Sequence, residues 1–147
     1  MISWEHNIQQ RSKTALYLLS SIMLPPKPAL VLDIDETLID LEGVCMLDII
    51  RVYNLAIQKG ITVFIVTARV YSPWVLEKTQ EQLNNCGVDM YKGIFFRDSP
   101  RDNPATYKKE SRERISREGY NIVMSIGDQP FDVNGGYTGI GIKLPQK

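Results

Sequence analysis

The chain is short of histidine, cysteine, net charge and long apolar runs, and each shortage excludes something. Its single histidine, His6, lies far from every motif described below and is expected at the surface. The two cysteines, Cys45 and Cys86, form no metal-type or redox-type spacing. They read as two free core thiols, in keeping with a reducing compartment and a cytoplasmic location. Lysine plus arginine equals aspartate plus glutamate, 17 against 17. That balance argues against a dedicated nucleic-acid binder, because counterion release needs a basic surface, though a locally positive pocket is compatible with it. The one run resembling a targeting signal covers residues 15–24, preceded by Arg11 and Lys13. It is too short to span a bilayer. Glu5 in a long polar lead and Ser20-Ser21 inside the apolar run also fit a signal peptide poorly. A packed amphipathic helix is expected instead, with no membrane partner. Repeats, low-complexity tracts and extended linkers are absent as well.

What is present is the size and rhythm of one domain, 147 residues with 44% hydrophobic and 23% charged. Residues 1–24 read as an N-terminal helix packing on a core at 28–145. Pro25-Pro26-Lys27-Pro28 forces an extended break. Ala29-Leu30-Val31-Leu32 is then a short apolar strand ending in acids. Met46, Ile49, Ile50, Tyr53, Ala56 and Ile57 follow helical spacing, with Gly60 in the C-cap place. Residues 61–66 are β-branched and continuous, as a strand covered on both faces would be. Ser72-Pro73 opens a helix that stops at Gly87. Strand 93–96, a polar loop at 98–105, a charged helix at 106–118, strand 121–126 and an edge-like strand at 139–144 complete the chain. Alternation of this kind predicts an α/β fold, three-layer, Rossmann-like and doubly wound, on a mainly parallel five-stranded sheet. Ligands of such sheets sit beyond the carboxyl ends of the strands.

Those ends carry the chemistry. The first strand runs into Asp33-Ile34-Asp35-Glu36-Thr37, where residues 33 and 35 point to one face if the strand persists. Two such close acids need a shared proton or a cation. The fourth strand adds Gly127-Asp128-Gln129-Pro130-Phe131-Asp132 at the equivalent end. Several carboxylates around one crevice suit a hard oxygen-seeking cation such as Mg²⁺. The second strand ends in Val66-Thr67-Ala68-Arg69, and Lys108 opens the charged helix. Acids, metal, hydroxyl and lysine together describe a phosphoryl-transfer site. Each alone has a plainer reading: a turn or N-cap acid, a capping Thr67, a solvated Lys108, an Arg69 paired with a surface acid, an Asp132 capping a short helix.

The joint pattern resembles the four motifs of the haloacid dehalogenase (HAD) superfamily. Asp33-Ile34-Asp35-Glu36-Thr37-Leu38 is similar to the first, Thr67 to the second, Lys108 to the third, and Gly127-Asp128 with Asp132 to the fourth. Further likeness points to the plant acid phosphatase and vegetative storage protein branch (subfamily IIIB), related to bacterial class B acid phosphatases. It rests on Lys27-Pro28-Ala29 before the first motif and Tyr107-Lys108 with Arg112. Glu118-Gly119-Tyr120-Asn121-Ile122-Val123, Gly127-Asp128-Gln129 and the closing Lys143-Leu144-Pro145 complete it.

The resemblance implies a Mg²⁺-dependent phosphomonoesterase. Asp33 would be the nucleophile and a metal ligand. Asp35 would be the acid/base, with its backbone carbonyl on the metal. Asp128 would be the third metal contact, with Asp132 supporting or joining it. Thr67 and Lys108 would hold phosphate, Lys109 being the adjacent alternative to Lys108, and Arg69 is a candidate substrate contact. About 29 residues separate Thr37 from Thr67, and no cap domain fits there or between Thr67 and Lys108. A nearly capless site suits a phosphate on a small molecule or exposed on a macromolecule, or else a homo-oligomer that supplies the lid.

Two other readings use the same residues. In an inactive storage or binding homologue the motifs would remain without turnover, yet Asp33, whose loss would silence the site, is present. A receiver-like signalling module also combines acids, a hydroxyl and a lysine on a parallel sheet. Asp35, two residues after the nucleophile, and the late G-D-x-x-x-D argue against that.

Overall fold

A computed structural model describes residues 3–147. Ser3 opens the first helix by accepting a hydrogen bond from the His6 backbone N–H at 3.1 Å. Helix α1 (Trp4–Ser21) buries Ile8, Ser12, Ala15 and Leu19, one stripe at helical spacing. The stripe packs on α2 (Leu47–Gln58), and the Ser12 hydroxyl donates to the Asp48 carbonyl at 2.6 Å. Among the described residues no helix is long and apolar enough to cross a membrane.

Between these helices lies β1 (Pro28–Leu32); after α2 come β2 (Thr62–Val70), α3 (Pro73–Asn85), β3 (Gly93–Arg97) and α4 (Pro104–Arg117). Strand β4 (Asn121–Gly127), the one-turn α5 (Pro130–Val133) and β5 (Ile140–Lys143) finish the chain. All pairings are parallel and the strand order is β3-β2-β1-β4-β5. The five strands and their helices form the expected doubly wound α/β fold on a parallel sheet.

Strand alternation divides the core. Leu30 and Leu32 join Val63, Ile65, Met124 and Ile126 beneath α1 and α2, while Ala29 and Val31 meet Phe64, Val66 and Ile115 of α4. From β1 the chain winds outward through β2 and β3, then returns to place β4 on the other side of β1. The switch point therefore lies between β1 and β4, and their carboxyl ends open the crevice in which such sheets bind ligands.

Three local features differ from expectation. Strand β2 continues past 66 to Val70, with its register against β3 broken between Val66 and Val70. Helix α4 begins at Pro104, two residues early, because the Asn103 Oδ1 accepts the backbone N–H groups of Ala105 and Thr106 at 2.9 and 3.2 Å. Third, Cys45 and Cys86 are not free thiols: they form a disulfide with a Cα–Cα distance of 5.6 Å. Their sequence separation of 41 hid this pairing, because only the packing of the loop before α2 against the end of α3 brings them together. With it goes the argument from free thiols for a reducing compartment.

Gly139 approaches the β4 backbone closely. It has a φ of +62°, and a Cβ there would lie 2.4 Å from the Ile122 carbonyl oxygen and 2.5 Å from the Val123 carbonyl carbon. Gly43, with a φ of +82°, has open space around it. Gly139→Ala should therefore cost about 2–4 kcal/mol, combining overpacking and backbone strain, against about 1 kcal/mol for Gly43→Ala. Urea denaturation midpoints measure both; equal losses would show that the close approach at β4 does not matter.

Candidate active site

The first acid stands one residue beyond β1. Asp33 is tied to the neighbouring strand by its backbone N–H, which donates to the Ile126 carbonyl at 3.1 Å. Its side chain is buried, and the Lys108 Nζ donates to Oδ1 at 2.7 Å. The Thr37 hydroxyl donates to Oδ2 at 3.4 Å. Asp128 follows β4 directly, and Asp132 lies in α5; both are buried. Asp33, Asp128 and Asp132 each offer a carboxylate oxygen, and these atoms lie within 4.8 Å of one another.

Lys108 also donates to the Asp132 Oδ1, so one ammonium bridges β1 and α5. Lys109, the adjacent lysine, is exposed. The other Asp132 oxygen accepts the Gln129 backbone N–H at 3.0 Å, so Asp132 closes the start of α5 from inside that helix and does not cap a helix that follows it. The Gln129 side-chain amide donates to Asp128 at 3.3 Å.

The charge of this cluster decides what it can hold. Three buried carboxylates face one buried ammonium, leaving an excess of two negative charges. Burial pushes the Asp33 carboxyl up to about 8; Lys108 opposes the rise, and Asp132 and Asp128 add to it. Burial pulls Lys108 down, but Asp33 and Asp132 outweigh it and hold the ammonium above its ordinary value. A proton on Asp33 thus relieves the crowding of the acids, and a cation relieves it equally. Oxygen-only donors and a two-charge excess fit a divalent hard cation.

Two residues missed as site elements hold Asp132 in place. Arg112 is buried one helical turn after Lys108, and its guanidinium donates to the carbonyls of Phe131 at 3.0 Å, Asn134 at 2.7 Å and Gly136 at 3.1 Å. Its spacing from Lys108 was the available signal. At Gly127 a Cβ would lie 2.3 Å from Asp132 side-chain atoms, so only glycine admits that acid at this position. No sequence pattern reveals such a contact.

Thr67 is fully buried in the irregular end of β2, where its Oγ1 accepts the Arg69 backbone N–H at 3.1 Å. Its hydroxyl proton remains available to a ligand. Asp35 points elsewhere. Its exposed carboxylate is gripped by Arg69, with Nε on Oδ2 at 3.0 Å and Nη2 on Oδ1 at 2.8 Å, and its side chain stands outside the acid triad. The Arg69 Nη1 also donates to Thr79 Oγ1 at 2.9 Å and Gln82 Oε1 at 2.7 Å on α3. Arg69 therefore spends most of its donors within the protein, and its acid partner is Asp35. His6 is exposed on α1. A cavity of about 950 Å³ lies apart from the acids, over β3 and beside α4, lined by Phe64, Phe95, Tyr107 and Arg114.

The family model described as HAD superfamily, subfamily IIIB (Acid phosphatase) matches residues 46–146. The chain belongs to this family. The match includes Thr67, Lys108, Asp128 and Asp132 and begins after the Asp33 loop. Curated relatives include the stem 28 kDa glycoprotein of Glycine max, 32% identical over 63% of this chain and 38% of that protein. Vegetative storage protein 2 of Arabidopsis thaliana is 31% identical over 65% of this chain and 36% of its own length. The chain spans only about a third of the length of these relatives. Among solved structures, the class C acid phosphatase of Bacillus anthracis with tungstate bound gives a TM-score of 0.69 at 18% identity, covering 96% of this chain and 77% of that one. A chain of the Pnkp1/Rnl/Hen1 complex gives 0.71 at 19% identity, covering 81% and 46%. At these identities the likeness concerns the fold.

Two predictions follow from the triad. A carboxyl whose pKa is higher folded than unfolded favours the folded state fully below about 3.8, and that contribution is lost as pH rises toward about 8. The cation-free protein should therefore lose thermal stability over that window, while the rise in Tm on adding Mg²⁺ grows across it. A Mg²⁺ effect independent of pH would sink the assignment. Gly127→Ala displaces Asp132 and should weaken Mg²⁺ binding, measured calorimetrically, by on the order of tenfold to a hundredfold.

Proposed function

We propose that the chain is a Mg²⁺-dependent phosphomonoesterase acting through a phosphoryl group carried on Asp33. The observation that carries this reading is the buried Lys108 bridge between Asp33 and Asp132, with Asp128 alongside, at the switch point of a HAD-family sheet. Asp33 and Asp128, with Asp132 beside them, would hold the cation. When bound, the cation neutralises the excess carboxylate charge and offers a Lewis acid to phosphate oxygens.

Lys108 fixes the Asp33 carboxylate through one oxygen, and the other oxygen carries only the long Thr37 contact. That oxygen forms a bond to phosphorus while the ester oxygen departs with its electron pair and takes a proton from Asp35. Thr67 donates its free hydroxyl proton to a phosphate oxygen, and Lys108 supplies positive charge to the same group. Water then attacks phosphorus, Asp35 takes its proton, the acyl-phosphate bond breaks and inorganic phosphate leaves. Asp35 enters this cycle only by letting go of Arg69 with at least one oxygen, because both are engaged.

Residues 37–67 are used up by a loop, α2 and β2, and residues 67–108 by α3, β3, a loop and α4. No inserted cap covers the crevice from either stretch, so the substrate is a phosphomonoester with an accessible phosphate, small or carried on a macromolecule. A second reading, a storage homologue with little or no turnover, draws on the storage-protein names of the relatives.

Activity on a panel of phosphomonoesters with Mg²⁺ separates the two. Asp33→Asn and chelation should each reduce kcat by about 10³-fold or more. Turnover that survives both would defeat the mechanism, and a protein that never turns over would support the storage reading.

A further inference from the structure

The loop from Asp35 to Cys45 is a stiff unit fastened to α3 at both ends. Inside it, Asp35 bridges to Ile39 and Ile39 to Cys45 in β-fashion. The Glu36 N–H donates to the Ile39 carbonyl at 2.7 Å, the Asp40 N–H to the Val44 carbonyl at 2.9 Å, and the Met46 N–H to the Leu38 carbonyl at 2.8 Å. Thr37, Leu38 and Ile39 are buried, which anchors the base of the loop. One fastening is polar: Asp35 is held by Arg69, and Arg69 by Thr79 and Gln82 of α3. The other is covalent: Cys45 is bonded to Cys86, the C-cap residue of the same helix.

We propose that the Cys45–Cys86 disulfide is a redox-controlled clamp that sets the position of Asp35 and hence the turnover of the site. This rests on the phosphatase reading above. Because the loop is internally bonded, freedom gained at Cys45 passes through Ile39 to Asp35 instead of being absorbed between them. The bridge is also reachable. Both cysteines are only half-buried, and a cavity of about 260 Å³ between α1 and the loop is bordered by Trp4, Ile8, Cys45 and Met46. A dithiol reductant attacks one sulfur through a mixed disulfide. Two electrons and two protons pass to the cysteines, which become thiols, and the reductant leaves as its cyclic disulfide. The polar fastening then holds the loop alone, and the backbone that carries Asp35 loses its fixed position relative to Asp33.

The test compares the oxidised chain, the chain reduced with dithiothreitol and the Cys45→Ser/Cys86→Ser double variant, all with Mg²⁺ present. Thiol titration verifies reduction. The expected result is a fall in kcat of about tenfold to a hundredfold in both unbridged forms, the scale of a misplaced catalytic group. Faster amide exchange confined to residues 35–45, with an unchanged far-ultraviolet circular dichroism spectrum, should accompany it. Unchanged kcat and exchange after verified reduction would overturn the clamp. So would global unfolding of both unbridged forms, since the bridge would then be a structural staple. A chain inactive even when oxidised defeats the phosphatase reading itself, and the clamp with it, whatever the exchange at 35–45 shows.

Discussion

A single ammonium holds the centre of this molecule together. Lys108 projects from α4 on one face of the sheet and meets Asp33 at the end of β1 and Asp132 in α5. An unpaired lysine at 2% exposure would be strongly destabilising, and so would any one of the three acids alone. Together they are mutually necessary yet still unbalanced, with two negative charges in excess. That imbalance is a poor solution for stability, and it fits a crevice able to take a divalent cation and, in the proposed reaction, a phosphate. The surroundings follow from this demand: Arg112 grips the loop that carries Asp132, and Gly127 clears the space that Asp132 occupies.

The topology supplies what local chemistry cannot. Crossovers that wind to β3 and then return to β4 leave a split beyond the ends of β1 and β4. Acids placed one residue past each strand converge there without any long loop. Asp33 is further fixed by its own N–H in the β1–β4 ladder, so its carboxylate hangs from rigid backbone.

Much of this was legible because strand and helix periods are local properties. Continuous apolar runs marked β1, β2 and β4, and the acids after them marked the active end. Ser72 and its following proline marked the start of α3. What escaped depended on distance in sequence or on a broken period. The register break in β2 after Val66 turns Arg69 toward α3 and Asp35, which matches the plainer reading of an arginine paired with a surface acid, but which acid was not legible. The Cys45–Cys86 bridge spans 41 residues and belongs to no spacing rule. The role of Gly127 is a vacancy, visible only when the neighbour that needs it is seen.

An acid/base group in an open crevice faces a problem that a covered one does not. In the proposed mechanism Asp35 is such a group: among the described residues no cap inserted from 37–67 or 67–108 closes over it, and half of its side-chain surface meets water. Its position then has to come from below and from the side. Buried Thr37, Leu38 and Ile39 give the first, and α3 gives the second through Arg69 and through the disulfide. The two side attachments differ in kind. A bidentate ion pair at an exposed carboxylate is weak and exchangeable, which would suit a group that, in the proposed mechanism, releases its partner in every turnover. A covalent bond ten residues on is not broken during turnover and can hold the loop while that release occurs. Under the proposed mechanism the first attachment can yield while the second holds the loop.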